Sequence, residues 1–294
     1  MSTTLVEAPV DRRQFVGGSD ISAILGISPW QTPYQLYVEK TSDTPLVVDP
    51  RRQAIFDRGK RLEPFIVEWA RQDLDLTIVK TNARYVDIEL PFLSCEIDFE
   101  HEYSGSIENA DAKSVHPSKS KEWGLPGTDE IPDHYTAQFL FGQMVTCRDS
   151  TLCMAMFGMD KLEPYRVRRN EEVIGWMREQ AIRFWEMVEK RTPPEVTTLE
   201  DAKIAWRREH PAKQIEASAE IDEIAERLKL MRTAINGDQA RADLLELSLK
   251  KFMADAEELV DSRGRKIASW KTQARKGYSV PASESRVLRL SARD

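Results

Sequence analysis

Apolar positions recur along this chain first at helical spacing, then at strand spacing, then at helical spacing again. Residues 1–11 carry no such pattern and are expected to lack order. Gly17-Gly18-Ser19-Asp20 precedes the run Ile21, Ala23, Ile24, Leu25, which Gly26 closes. This predicts a turn and a short helix, with Ser19 as its N-cap. Thr32 and Pro33 predict the N-cap and first residue of a second helix through Tyr34, Leu36, Tyr37 and Val38. Over 51–73, Ile55, Leu62, Ile66, Trp69 and Ala70 form the apolar stripe of a long helix. Pro64 is expected to kink or split it, since a mid-helix proline costs about 3 kcal/mol.

Between 76 and 115 the segments LTIVK, ARYVDIEL, FLSCEIDFE and GSIENADAKSV are short, β-branched and aromatic-rich. They predict a run of strands, partly antiparallel. Ile131-Pro132 opens a helix with Ala137, Leu140/Phe141 and Met144/Val145 at helical spacing. Two strands follow, STLCMAMFG and EPYRVRR, then a helix over 170–190. In the last third, Ile221, Ile224, Leu228, Met231 and Ile235 are spaced 3-4-3-4. After Asn236-Gly237 come Leu245, Leu249, Phe252, Ala256 and Leu259, spaced 4-3-4-3. Two helices with coiled-coil-type seams, folded back at a tight Asn-Gly turn, are the expectation. A β-hairpin turning at Arg263-Gly264 and a final strand, SRVLRLS, complete the reading.

Composition narrows the class. A chain of 294 residues with 41% hydrophobic and 31% charged residues has the makings of a large core. No apolar run approaches the roughly 20 residues of a membrane span, and the N-terminus lacks a signal-peptide core, so a cytoplasmic location is expected. Cys95, Cys147 and Cys153 form no C-x-x-C pair and are expected to be buried free thiols rather than zinc or iron–sulfur ligands. The net charge is −7, but residues 262–294 hold nine Lys/Arg against two Asp/Glu. That segment suits a phosphate backbone or, equally, docking on the protein's own acidic body.

Chemistry concentrates at Asp111-Ala112-Lys113. On a strand, residues two apart share a face, so Asp111 and Lys113 converge while the Ala112 carbonyl stays available. Asp98, 13 residues earlier, ends the preceding strand, and antiparallel pairing brings both carboxylates together. Carboxylates of this kind hold Mg²⁺ with few protein ligands. The ion lowers the pKa of a bound water and neutralises charge on a scissile phosphate. A neighbouring lysine orients or deprotonates that water. D-x-K is a short motif, and in isolation an edge-strand ion pair on a solvated face explains it better. Tyr135 and Gln138 lie three apart on one helix face, within reach of DNA or metal-bound water, or serve as polar residues at the core rim. Trp30 is read as an edge-packing residue, with stacking on a DNA end as the alternative.

Four segments supply context: VGGSDISAILGISPWQTPYQLYVEKT at 16–41, RGKRLEPFIVEWA at 58–70, SCEIDFE with NADAKSV at 94–115, and IPDHYTAQFLFGQMVT at 131–146. In this order they resemble the YqaJ-type viral recombinase family, which includes the lambda exonuclease and belongs to the PD-(D/E)xK nucleases. The resemblance implies an α/β, restriction-endonuclease-like core, a mixed central sheet flanked by helices. It implies Mg²⁺-dependent 5′-to-3′ degradation of double-stranded DNA, with Mn²⁺ able to substitute. The family's helix glutamate falls on Glu63, its motif aspartate on Asp98, its (D/E) on Asp111 and its lysine on Lys113. The expected metal ligands are then Glu63, Asp98, Asp111 and the Ala112 carbonyl. The family's glutamine falls on Gln138. Its end-phosphate arginine and serine fall on Arg12 or Arg13 and on Ser19. Ile97 stands where the pattern usually has proline, and Asp111 where Glu is commoner. An alternative alignment through Glu108 lacks the lysine two residues on.

The resulting expectation is a nuclease core over 10–195, a linker and antiparallel helical hairpin over 196–261, and a small basic β extension over 262–294. The expected partners are double-stranded DNA ends, a single-strand annealing protein and further copies of the chain. Rival readings are an endonuclease on the same core, a catalytically inactive DNA-binding or recombination scaffold, and a Cas4-type nuclease, which the missing cysteine cluster disfavours.

Overall fold

The structure, a computed structural model, describes residues 3–5, 11–44, 49–275, 277, 282 and 284–291. It divides into two units, residues 1–205 and 206–294. In the first, β1 (Thr3–Leu5) is followed by α1 (Gly18–Ile24), α2 (Pro33–Thr41) and α3 (Pro50–Asp73). Then come β2 (Ile78–Asp87), β3 (Ser94–Tyr103), β4 (Ser106–Val115), α4 (Asp133–Thr146), β5 (Ser150–Phe157), β6 (Lys161–Arg168), α5 (Glu171–Glu189) and α6 (Leu199–Ala205).

Among the described residues the strands form one six-stranded sheet in sequential order. All neighbours are antiparallel except β4 and β5, which run parallel because α4 carries the chain back across the sheet. β3 and β4 meet at a two-residue turn, Ser104-Gly105, both at positive φ (50° and 82°), the geometry that matches strand twist. β5 is buried throughout, and its side chains alternate between two cores. Leu152, Met154 and Met156 pack with Ile66, Val67 and Ala70 of α3. Cys153, Ala155 and Phe157 belong to the larger core with residues of α1, α4 and α5.

Several sequence expectations need correction. Thr3–Leu5, expected to be disordered, pair as an edge strand with Tyr85–Asp87. α1 begins one residue before Ser19: its N-cap is Gly17, and Asp20 reaches back to accept the Gly17 N–H at 2.9 Å. α3 runs unbroken through Pro64, held by the burial of Ile66, Val67 and Ala70 just beyond it. Cys95 and Cys153 are buried free thiols, but Cys147 is exposed at the end of α4. The first unit continues past residue 195. Asp201 of α6 is fully buried and accepts hydrogen bonds from Thr32 Oγ1 (2.7 Å) and Gln35 Nε2 (2.9 Å), which tie α6 to α2.

The second unit is built on α7 (Ala219–Met253), followed by β7 (Glu258–Val260) and β8 (Lys266–Ser269). The expected helical hairpin is absent: α7 is one helix of 35 residues passing through Asn236-Gly237. Gly237 is not among the glycines with positive φ, so the tight turn that Asn-Gly permits is not made. The seam explains why. From Ile235 the 3-4 alternation continues through Asp238 and Ala242 to Leu245, so the two seams are one heptad register. β7 and β8 pair antiparallel around Arg263-Gly264, whereas 285–291, expected as a strand, form none. Basic residues of this region are partly neutralised within the unit, as Arg265–Asp261 at 2.7 Å and Lys266–Glu258 at 2.7 Å. Lys271 also pairs with Glu257.

Candidate active site

The β3–β4 hairpin sets the site. Its register pairs Phe99 with Ala110, so the next residues along, Asp98 and Asp111, are cross-strand neighbours. Asp98 Oδ2 accepts the Ala112 N–H at 2.9 Å. Lys113 Nζ lies 2.5 Å from Asp111 Oδ1. Gln138 of α4 approaches Asp111 Oδ2 with its Nε2 at 3.5 Å. Lys113 is backed by aromatic faces, 5.3 Å from the Tyr135 ring centroid and 5.6 Å from that of Phe139. Tyr135 in turn contacts the His134 and Trp123 rings, and Trp30 packs edge-on against His134 at 4.7 Å. Tyr135 thus forms the wall behind Lys113, and Trp30, still 56% exposed, edges that wall.

A cavity of about 200 Å³ joins these acids to a cationic end. It is lined by Asp98, Asp111 and Gln138 together with Arg12, Ser19, Arg84 and Glu96. Arg12 Nη2 donates to Ser19 Oγ at 2.9 Å and to Asp20 Oδ1 at 2.7 Å. Arg13 is turned elsewhere: it pairs with Asp11 and donates to the Ser42 and Asp43 carbonyls. Of the two candidate arginines, only Arg12 lines the cavity. α1 packs directly on α4: a Cβ at residue 18 would stand in van der Waals contact with the Gln138 side chain, at 3.4 Å. Glu108, the alternative carboxylate, is engaged by Arg166 and lies 3.7 Å from His101 Nε2, outside the cavity.

Electrostatics mark the acids as a strained group. Burial, then Asp111 and Glu63, push the Asp98 carboxyl well above the usual range, against the pull of Lys113 and the Ala112 N–H. Burial and Asp111 likewise raise Glu63, half-buried on α3. Burial alone would lower the Lys113 pKa, but Asp111 and Asp98 outweigh it and hold the ammonium charged. Lys113 therefore answers Asp98 and Asp111, while Lys60 is the nearer counter-charge of Glu63.

The donor set fits a hard divalent cation in kind: carboxylates with no thiolate or imidazole among them. Its excess of negative charge gives a cation something to neutralise. Among the described residues, no three His, Cys, Asp or Glu side chains converge on one point. Asp98 and Asp111 are already engaged by Ala112 and Lys113.

Sequence reading missed the support of the cationic end. Lys40 is fully buried, and its Nζ donates to Asp20 Oδ2 and to the Arg12 carbonyl, both at 2.6 Å. Arg84, another cavity cation, stacks over Phe15 at 5.2 Å. The one available signal was Asp20, an acid in the third position of a helix.

This layout can be compared with known proteins. The profile of the YqaJ-like viral recombinase domain matches residues 10–149. Residues 10–149 are thus similar to the YqaJ-like viral recombinase domain. The matched segment contains Arg12, Ser19, Glu63, Asp98, Asp111, Lys113 and Gln138. The uncharacterized protein YqaJ of Bacillus subtilis is 24% identical over 257 residues, covering 84% of this chain and 78% of that protein. The crystal structure of LHK-Exo in complex with dAMP is similar with a TM-score of 0.51 at 14% identity, over 66% of this chain and 94% of that one. A second structure of LHK-Exo, an alkaline exonuclease from Laribacter hongkongensis, matches with a TM-score of 0.49 at 13% identity, over 62% and 91%. The mixed sheet flanked by helices is the restriction-endonuclease-like fold. No helix among the described residues is long and apolar enough to cross a membrane.

The raised Asp98 pKa carries a stability prediction. A carboxyl whose folded pKa lies above its unfolded value stabilises the fold below the unfolded pKa, and that stability is lost as pH rises through the folded value. At neutral pH in EDTA, Asp98→Asn should therefore be more stable than the parent. An effect on the order of 1 kcal/mol shifts Tm by roughly 2–4 °C in a chain of this size. A thermal melt in which Asp98→Asn is the less stable protein would show that Asp98 is not electrostatically strained.

Proposed function

We propose that this protein is a metal-dependent deoxyribonuclease that degrades double-stranded DNA from its ends in the 5′-to-3′ direction. One observation carries the reading: a single cavity runs from the Asp98, Asp111 and Gln138 end to Arg12 and Ser19. A phosphodiester held at the acids leaves the cationic end free for a terminal phosphate on the same strand. The YqaJ-like domain and the likeness to an exonuclease solved with a mononucleotide support the same reading.

Glu63, Asp98, Asp111 and the Ala112 carbonyl would hold Mg²⁺, or Mn²⁺ in its place. Bound there, the ion supplies a water of lowered pKa and neutralises charge on the phosphate. The chain's own residues do the rest. Lys113, charged and ion-paired to Asp111, stands where it can orient the attacking water and face the negative charge that grows on phosphorus. Gln138 positions that water or the Asp111 carboxylate. Arg12, fixed by Asp20, and Ser19 bind the 5′-terminal phosphate, which places the first internucleotide bond over the acids.

The discriminating experiment uses linear duplexes with a 5′-phosphate or a 5′-hydroxyl, with covalently closed circular DNA as the control. Mononucleotides released from the phosphorylated linear duplex in Mg²⁺, with EDTA stopping the reaction and the circle intact, are expected. Cutting of the circle would favour an endonuclease. No cleavage of any substrate in Mg²⁺ or Mn²⁺ would favour a DNA-binding scaffold.

A further inference from the structure

We propose that α7 forms an antiparallel two-helix coiled coil with the α7 of a second copy of this chain. Most of the helix's apolar seam lies open: Ile221, Met231, Ile235, Leu245, Leu249 and Phe252 are between 46% and 79% exposed, while Leu228 among them is half-buried. At 35 residues the helix is about 52 Å long, so a seam roughly 10 Å wide presents on the order of 500 Å². That is toward the upper end of the apolar patches that monomeric proteins expose, and patches of this size often mark interaction sites. Two such seams bury about 1,000 Å², where specific interfaces begin.

The seam fits itself when reversed. Turned end for end about the midpoint between Asn236 and Gly237, every heptad core position meets a core position. Ile221 lies opposite Phe252, Leu228 opposite Leu245, and Met231 opposite Ala242. Such self-matching is what a two-fold interface requires, since each residue's partner is also its partner's partner. These are also the pairs that a hairpin folded at Asn236-Gly237 would have made within one chain. Because α7 continues straight through that dipeptide, the same contacts are open to a second copy.

Charge selects the orientation. In a parallel, in-register pair Asp238 would face Asp238 in the seam, and Arg227 would flank Arg232 of the other helix. Both juxtapositions are repulsive. In the antiparallel pair Asp238 meets Ile235 instead, and keeps its own Arg241 at 3.3 Å. Arg227 then flanks Ser248, and Arg232 flanks Gln239.

The test is a disulfide trap in the full chain. Cys147, the one exposed cysteine among the described residues, is replaced by serine, and Leu228→Cys is combined with Leu245→Cys. Mild oxidation is expected to give a covalent species of twice the chain mass on a non-reducing gel. An internally bridged monomer would mean that the seam closes on its own chain, and the proposal would be lost. Sedimentation equilibrium supplies an independent measurement. The unmodified chain should sediment as a dimer at tens of micromolar. Leu228→Glu should halve that mass with the helical circular dichroism retained, and Leu228→Glu with Leu245→Lys should restore it. A monomeric parent chain overturns the proposal, as does a folded Leu228→Glu variant that stays dimeric. If Leu228→Glu does not fold, the disulfide trap and the mass of the parent chain still decide the matter. DNA cleavage under the proposed function should be unchanged by these substitutions, since none of them touches the cavity residues.

Discussion

Lys113→Ala is expected to lower the rate of phosphodiester hydrolysis by roughly 10²–10⁴-fold, the range for loss of a positioned proton-transfer or charge-stabilising group. The expectation rests on the balance of charge at the site. Lys113 is half-buried, sits 2.5 Å from Asp111, and lowers the Asp98 pKa against the push of burial and Asp111. Single-turnover cleavage of a 5′-phosphorylated duplex at saturating Mg²⁺ is the appropriate measurement, because it isolates chemistry from product release. Removing the ammonium also leaves Asp98 and Asp111 without their shared counter-charge, so the variant should melt earlier in EDTA. Any ion that binds the folded site stabilises it by mass action. Added Mg²⁺ should therefore restore more of the variant's Tm than it adds to the parent's, while activity stays low. A variant cutting within threefold of the parent would remove Lys113 from the mechanism.

Lys40→Ala is expected to be the most destabilising single change near the site, by about 3–5 kcal/mol, the cost of leaving a buried charge without its partner. The Lys40 side chain is fully buried and that of Asp20 is 4% exposed, while Arg12, the other partner of Asp20, lies half in solvent. For a chain of this size the loss amounts to a fall in Tm of roughly ten degrees or more. Burial raises the Asp20 pKa, but Lys40 and Arg12 together overcome this and hold the carboxyl below its usual value. A depressed carboxyl contributes stability that is present above its unfolded pKa, about 3.9, and lost as pH falls through the folded value. Acid melts should accordingly show the parent losing this contribution only at low pH, with the variant lacking most of it already at neutrality. Lys40→Met with Asp20→Asn, which removes both charges and keeps the bulk, should recover part of the loss. If Lys40→Ala melts within two degrees of the parent, the buried pair is not holding Arg12 in place.

The short-range parts of this protein were legible because local rules decide them. Ser104-Gly105 is a two-residue turn, and such a turn fixes the pairing of everything that follows it on both strands. Asp98 and Asp111 are equidistant from that turn, so their juxtaposition is already implied by residue spacing. Alternation then puts Lys113 on the Asp111 face. The resemblance added Glu63, Gln138, Arg12 and Ser19, but it left Arg12 and Arg13 as equal candidates. The structure separates them, because Asp11 and the 42–43 carbonyls hold Arg13 away from the cavity.

Reading failed where a local signal competed with a longer-range one. Asn236-Gly237 is a strong turn signal, but the heptad phase carried across it outweighed it and gave one helix. The charge count left two readings of the far C-terminus open; Arg265, Lys266 and Lys271 there pair with acids close by in the same unit, and Arg12 and Arg84 line the cavity.

By itself, then, the amino-acid sequence determined the β3–β4 hairpin, its register and the Asp98, Asp111 and Lys113 group, because spacing about a tight turn leaves no other pairing. Only the tertiary structure decided that α1 and α4 bring Arg12, Ser19 and Gln138 to the same cavity, and that Lys40 is buried beneath them. Those contacts join residues 20 to more than 100 positions apart. Their geometry depends on how helices pack across a sheet, and no local periodicity records it.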